Sequence, residues 1–188
     1  MNKDQILEVA AQIIRQKGFH ATSMQDIANA VNLQKASLYH HVSSKQEILY
    51  SLLEQALDII IERISAVVSQ DNPADEKLRQ ACRVYLSTLS EHGDLVSVLL
   101  MEHRSLESKF RTKHIPRRDR FESLWRDLIR EGVDSGRFYS ITDPALTARA
   151  VLGVLNWTIT WYKKDGSLSI DQIADHISAL FLNGLLCR

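Results

Sequence analysis

Two short amphipathic segments meeting at one tight turn constrain this chain more than any other feature. Met24, Ile27, Ala28 and Val31 recur at three- and four-residue spacing, which puts them on one side of a short helix over residues 24–31. Ser23 stands at its N-cap, and Asp26 three residues later completes a variant capping box. Asn32 follows, and asparagine tolerates the left-handed backbone that a tight helix–helix turn requires. A second short helix is expected from about residue 35 to 41, with Leu38 turned inward toward Ile27 and Leu33. Upstream, Ile6, Leu7, Ala10, Ile13 and Ile14 mark a supporting helix that ends at Gly18 in a left-handed cap. Together these segments make a helix-turn-helix unit. The last helix of such a unit enters the DNA major groove with its N-terminal residues on base edges.

With Leu38 inward, Gln34, Lys35 and Ser37 point outward. Glutamine can pair with adenine, lysine with guanine and serine with several base edges. Ala36 is small enough to let the backbone approach DNA. Ser44 then caps a long fourth helix carrying Ile48, Leu49, Leu52, Leu53, Ala56, Ile60, Ile64 and Val67.

Residues 18–28, 33–42 and 44–49 together resemble the TetR family signature, over roughly residues 5 to 53. The resemblance implies that Thr22, Ser23, Tyr39, His40 and Lys45 grip phosphates, while Gln34, Lys35 and Ser37 read bases beside Ala36. Its partner is then double-stranded operator DNA. There are three departures from the pattern. Asn32 replaces a glycine, Gln34 replaces a capping serine or threonine, and His41 and Val42 replace an aromatic pair, so looser packing is expected there.

Only 7 glycines and 3 prolines occur in 188 residues, which favours long helices over a turn-rich all-β fold. Asn72-Pro73 marks a break, and further helices are expected over 75–91, 95–105, 117–134, 143–162 and 169–186. The expected fold is all-α with about nine helices. It has a helix-turn-helix domain in residues 1–50 and a ligand-binding and dimerisation domain in 51–188. The last two helices are apolar on more than one face, with Leu146, Val154, Trp157 and Trp161 in one and Leu180, Phe181 and Leu186 in the other. Such helices need covering on several sides, which points to a homodimer. A closed two-fold dimer matches a palindromic operator.

Val98, Met101, Phe121, Trp125, Leu128, Leu152, Leu155, Trp157 and Trp161 are the candidate lining of a chamber for a small apolar effector. Residues 156–166, 168–169 and 173–175, with Glu102-His103-Arg104 and 117–121, resemble a TetR subgroup. Its members respond to acyl-coenzyme A thioesters in fatty-acid, aromatic or steroid catabolism. Arg104, Lys109, Arg111, Lys113, His114, Arg117, Arg118 and Arg120 crowd one stretch. His103, Arg104, Arg117 and Arg118 are therefore candidate ligands for coenzyme A phosphates. A solvated basic surface broken by Glu107, Asp119 and Glu122 is the competing reading of that stretch. A hydrophobic drug-like effector of an efflux regulator is the alternative to a thioester.

Lys and Arg total 23, as do Asp and Glu, so the chain is not a generic polyanion binder. A dimer that touches a few phosphates needs only local cations. The sequence holds no Gly-rich phosphate loop, HExxH or GxSxG, so no catalytic residue, enzyme activity or cofactor is expected. His92, His103 and His114 would share a face only if one helix ran through them. Gly93 and Pro116 argue against that, so no metal site is expected. Cys82 and Cys187 have no ligand spacing and read as free thiols in a reducing cytoplasm. No apolar signal core opens the chain, and no apolar run approaches the ~18 residues of a membrane span. The expected location is cytoplasmic, with no membrane partner.

Overall fold

The computed structural model describes residues 2–140 and 143–185, so the predicted helix end at Leu186 and the thiol of Cys187 lie outside the described residues. Among the described residues the chain is all-α. Its helices are α1 (Lys3–Lys17), α2 (Met24–Ala30), α3 (Lys35–Leu38), α4 (Lys45–Val68), α5 (Ala74–Glu91), α6 (Gly93–Glu102), α7 (Ser108–Asp134), α8 (Pro144–Trp161) and α9 (Ile170–Leu185). A 3-10 turn, His103–Ser105, follows α6. No helix among the described residues is long and apolar enough to cross a membrane.

The helix starts follow local capping chemistry. The Leu146 amide donates to the Asp143 carboxylate at 2.8 Å, with Pro144 at the first helical position of α8. Ser169 and Gln172 satisfy each other's backbone amides at 3.2 and 2.9 Å, starting α9. Asn2 and Gln5 form a further capping box at α1. Gly18 does take a positive φ of 82°, but its ψ of 156° is extended. Its amide closes α1 on the Ile14 carbonyl at 2.7 Å, and the chain then leaves outward instead of curling in the expected left-handed cap.

Three boundaries differ from expectation. The second short helix ends at Leu38, because residues 39–41 tighten into turns in which the His40 amide donates to Ser37. Helix α6 starts at Gly93 rather than at about 95, and α7 starts at Ser108 rather than at 117 and runs through Pro116. A proline inside a helix leaves the carbonyl four residues earlier without its donor. Here Thr112 and Pro116, the residues at either end of the missing bond, are both exposed.

The chain divides into two compact units, one of residues up to Asp58 with His92–Arg117, the other of Ile59–Glu91 with residues from Arg118 on. In the first unit Ile6 and Ile14 of α1, Ile27, Leu38, and Ile48 and Leu49 of α4 are fully buried. Burying each contributes about 1.5–3 kcal/mol against the entropy of ordering the chain. Helix α6 packs on α1, tied by Arg15 and Asp94 at 2.6 Å. In the second unit α5 packs on α8 and α9, with Cys82, Tyr85, Leu86, Ala174 and Leu182 buried. Lys77, nearly enclosed, pairs with Glu131 at 2.8 Å. Gly132 leaves room on α7 for the buried ring of Phe138.

Candidate nucleic-acid interface and effector residues

The interface is assembled from α2, its turn and α3. The Ser23 hydroxyl accepts from the Asp26 amide at 3.1 Å, and the Asp26 carboxylate takes the Ser23 amide at 2.8 Å and hydroxyl at 2.7 Å. Those Ser23 bonds, with help from the Lys17 ammonium, hold the Asp26 carboxyl below its usual range. Asn32 adopts φ 54°, and the Leu33 amide reaches back to Ala28 at 2.9 Å to close the turn. Leu38 is completely buried and docks α3. Docking that residue turns Gln34, Lys35, Ala36, Tyr39 and His40 to solvent and leaves Ser37 half-buried. Gln34 makes no capping bond with its side chain, so its amide is unspent. Val42, expected to pack loosely, is buried.

The base of the interface is held by α4. The Glu47 amide donates to Ser44, and the Glu47 carboxylate accepts from the Ser43 amide at 2.8 Å and from Lys3 at 2.9 Å. The Lys3 ammonium, then the Ser43 hydroxyl and amide, hold the Glu47 carboxyl down at about 2.

Two residues expected on phosphates have other duties. Thr22 is buried, and its hydroxyl donates to the Gly18 carbonyl at 2.9 Å. Lys45 donates to the Phe19 carbonyl at 2.9 Å and the Thr22 carbonyl at 2.6 Å, and lies 4.4 Å over the Phe19 ring. One of its three N–H donors is left over for DNA. Residues 92–117 brace the same loop: Glu102 accepts from the Phe19 amide at 3.1 Å, and Gln46 bridges the Ser105 carbonyl and the Glu107 amide, both at 2.9 Å. These contacts span tens of residues, and no local pattern announces them. A cleft of about 630 Å³ opens beside them, lined by His20, Lys45, Arg104 and Arg111 among others.

The basic stretch does not form one patch. Arg104 is exposed beside that cleft, and Arg111 donates to the Leu106 carbonyl at 2.7 Å. His114 is buried against Glu54 at 2.9 Å, and Arg117 pairs with Glu54 and Asp58. In the second unit Arg118 pairs with Asp119 and Glu122 of its own helix. His92 caps α6, His103 opens the 3-10 turn and His114 lies in α7. No group of three His, Cys, Asp or Glu among the described residues could hold a metal ion.

The chamber candidates are divided between the two units. Phe121, Trp125, Leu128, Leu152 and Leu155 are all buried in the second unit, where Tyr85 stacks on Phe121 at 5.9 Å. Val98 is buried in the first unit, His103 is half-buried and Met101 is exposed. Trp157 is 67% and Trp161 46% exposed, because α8 buries its other stripe of Ala148, Val151, Leu155 and Thr158.

Comparison with known proteins agrees with this geometry. The model of bacterial regulatory proteins of the tetR family matches residues 6–52, and that of the tetracyclin repressor-like C-terminal domain matches residues 71–185. The HTH-type transcriptional repressor KstR2 of Mycobacterium tuberculosis is 27% identical over 184 residues, covering 97% of this chain and 92% of that protein. The crystal structure of the TetR family transcriptional regulator PfmR from Thermus thermophilus superposes with a TM-score of 0.87 at 36% identity, over 95% of this chain and 97% of that one. AibR, solved in complex with isovaleryl coenzyme A and operator DNA, gives 0.88 at 29% identity, over 96% and 97%.

Proposed function

The chain belongs to the tetR family of bacterial regulatory proteins, and from that premise we propose that it represses transcription as a homodimer on a palindromic operator and leaves the DNA on binding an acyl-coenzyme A thioester. The observation that carries the DNA-binding part is the outward row of Gln34, Lys35, Ala36, Tyr39 and His40 on a helix anchored by Leu38. Tyr39, His40 and the remaining donor of Lys45 take phosphates, while Gln34, Lys35 and Ser37 read base edges.

The dimer reading rests on the outer stripe of α8 and α9. Leu146, Trp157 and Leu180 are each at least 63% exposed, and Val154 and Trp161 continue the stripe. A Cβ added at Gly153 or Gly184 would meet no atom within 4 Å, so a partner helix can approach closely there. A second copy covers this apolar surface through a two-fold contact.

The effector reading rests on the interior. No carboxylate is buried among the described residues, so a cationic drug-like molecule would meet no counter-charge inside. An acyl group suits an apolar interior of Tyr85, Phe121, Trp125, Leu152 and Leu155, whose packing has to part to admit it. KstR2 and the thioester-bound AibR, both similar over nearly the whole chain, favour the same class. The thioester must bind the DNA-released conformation more tightly than the DNA-bound one. Helix α4, shared by both units, is the element whose shift would alter the ~34 Å spacing of the recognition helices.

Fluorescence anisotropy tests this on labelled DNA from upstream of the protein's own gene, with acyl-coenzyme A thioesters added at fixed salt. Tight binding abolished by one thioester class is the expected result. Binding that yields only to hydrophobic drug-like compounds would replace the effector, and no binding at low salt would overturn the proposal.

A further inference from the structure

Trp125 carries a polar group that its own packing does not use. Its side chain is 0% exposed, and its indole Nε1–H has no hydrogen-bond partner. Native proteins pair nearly all such donors, and a bare one costs about 1–3 kcal/mol. Indole is donor only, so no tautomer or flip removes the cost.

The neighbours narrow what the missing acceptor is. Tyr85 stands edge-on to Trp125, with centroids 5.9 Å apart and planes at 87°, and stacks on Phe121. Its hydroxyl is spent as a donor to the Asn156 side-chain oxygen at 2.6 Å. With that oxygen engaged, Asn156 offers its amide nitrogen as a second donor beside the same tyrosine. The packing therefore leaves the Trp125 donor among aromatic rings with no acceptor. The buried cation of this unit, Lys77, is already neutralised by Glu131. A carboxylate brought there would lose its hydration without finding an unpaired cation, whereas a neutral carbonyl oxygen needs only donors.

We infer that, once these packed side chains part to admit the effector, the Trp125 indole N–H receives the carbonyl oxygen of its acyl group, so that Trp125 distinguishes acyl thioesters from equally apolar molecules without a carbonyl. The inference rests on the thioester reading above and adds the residue that senses the reactive end of the acyl chain. Phe121 and Tyr85 supply the apolar contacts on either side, which bind hydrocarbon of any kind. Selectivity for the carbonyl then falls to one hydrogen bond.

The test compares isovaleryl-, decanoyl- and phenylacetyl-coenzyme A with thioether counterparts that lack only the carbonyl oxygen. Each is titrated into the preformed operator complex of the full chain and of Trp125→Phe, which keeps an aromatic wall and deletes the donor. On the unaltered chain a releasing thioester is expected to act at about tenfold lower concentration than its thioether, equivalent to ~1.4 kcal/mol. On Trp125→Phe that ratio is expected to fall to about one, because only the thioester loses a bond. An unchanged ratio in the variant overturns the inference, even if the variant is less stable. Equal potency of thioester and thioether on the unaltered chain overturns it without any variant. If no thioester releases the unaltered chain, the thioester reading itself fails and takes this inference with it.

Discussion

Replacing Lys45 with methionine deletes an ammonium while keeping most of the aliphatic stem. That ammonium donates to the Phe19 and Thr22 carbonyls at 2.9 and 2.6 Å and lies over the Phe19 ring. A hydrogen bond from a charged donor nets about 1.5–3 kcal/mol. Both bonds are only partly buried and water can reach the freed carbonyls, so we take about 2 kcal/mol for the pair. The cation over the ring adds about 0.5 kcal/mol. For a chain of this length, ~2.5 kcal/mol corresponds to a fall in Tm of about 5–10 °C. The assay is thermal unfolding followed by circular dichroism without DNA, at matched protein concentration because a dimer's melting depends on it. The same variant, titrated on operator DNA at several salt concentrations, reports whether the third donor also holds a phosphate. Loss of one such contact from each protomer lowers the salt slope of the dimer by about 2. An unchanged Tm with a lowered slope would refute the reasoning, showing that the ammonium serves DNA and not the loop.

Alanine at a helical glycine normally stabilises, but Gly132→Ala drives a Cβ into the buried Phe138 ring, so a loss of about 1–3 kcal/mol is expected. A lowered urea midpoint confirms it, and a raised midpoint shows that the ring yields freely. Glu47 is held at about 2, below its ordinary value of 4.5, so its contribution is complete above that value and is lost as pH falls toward 2. Glu47→Gln should therefore flatten the acid loss of stability across that window, and parallel curves for the two proteins would contradict the assignment. Burial pushes the Cys82 thiol up to about 12, so in a Cys187→Ser chain it should resist iodoacetamide at mildly alkaline pH until the protein is unfolded. Rapid alkylation of the native protein would show that the thiol is reachable.

Much of the binding head was legible in the residues because its rules act within one helical turn. Ser23 with Asp26, Asn32 at positive φ, Asp143 before Pro144, and Ser169 with Gln172 all involve groups at most three residues apart. The reading face followed from periodicity, since an inward Leu38 forces Gln34 and Lys35 outward. The carbonyl partners of Lys45 were not legible, because they lie 26 and 23 residues away. The same holds for Glu102, whose bond to Phe19 draws residues 92–117 into the first unit. Pro116 signals a helix end by local rules, yet α7 runs through it, with Thr112 and Pro116 both exposed. Three tryptophans read alike in sequence, while packing encloses Trp125 and leaves Trp157 and Trp161 outside. Caps and turns are decided by neighbours along the chain, but burial and ion pairing depend on which surfaces meet. Helix identity therefore belonged to the sequence alone, while the partners of Lys45 and Glu102 and the enclosed donor of Trp125 were decided by tertiary packing.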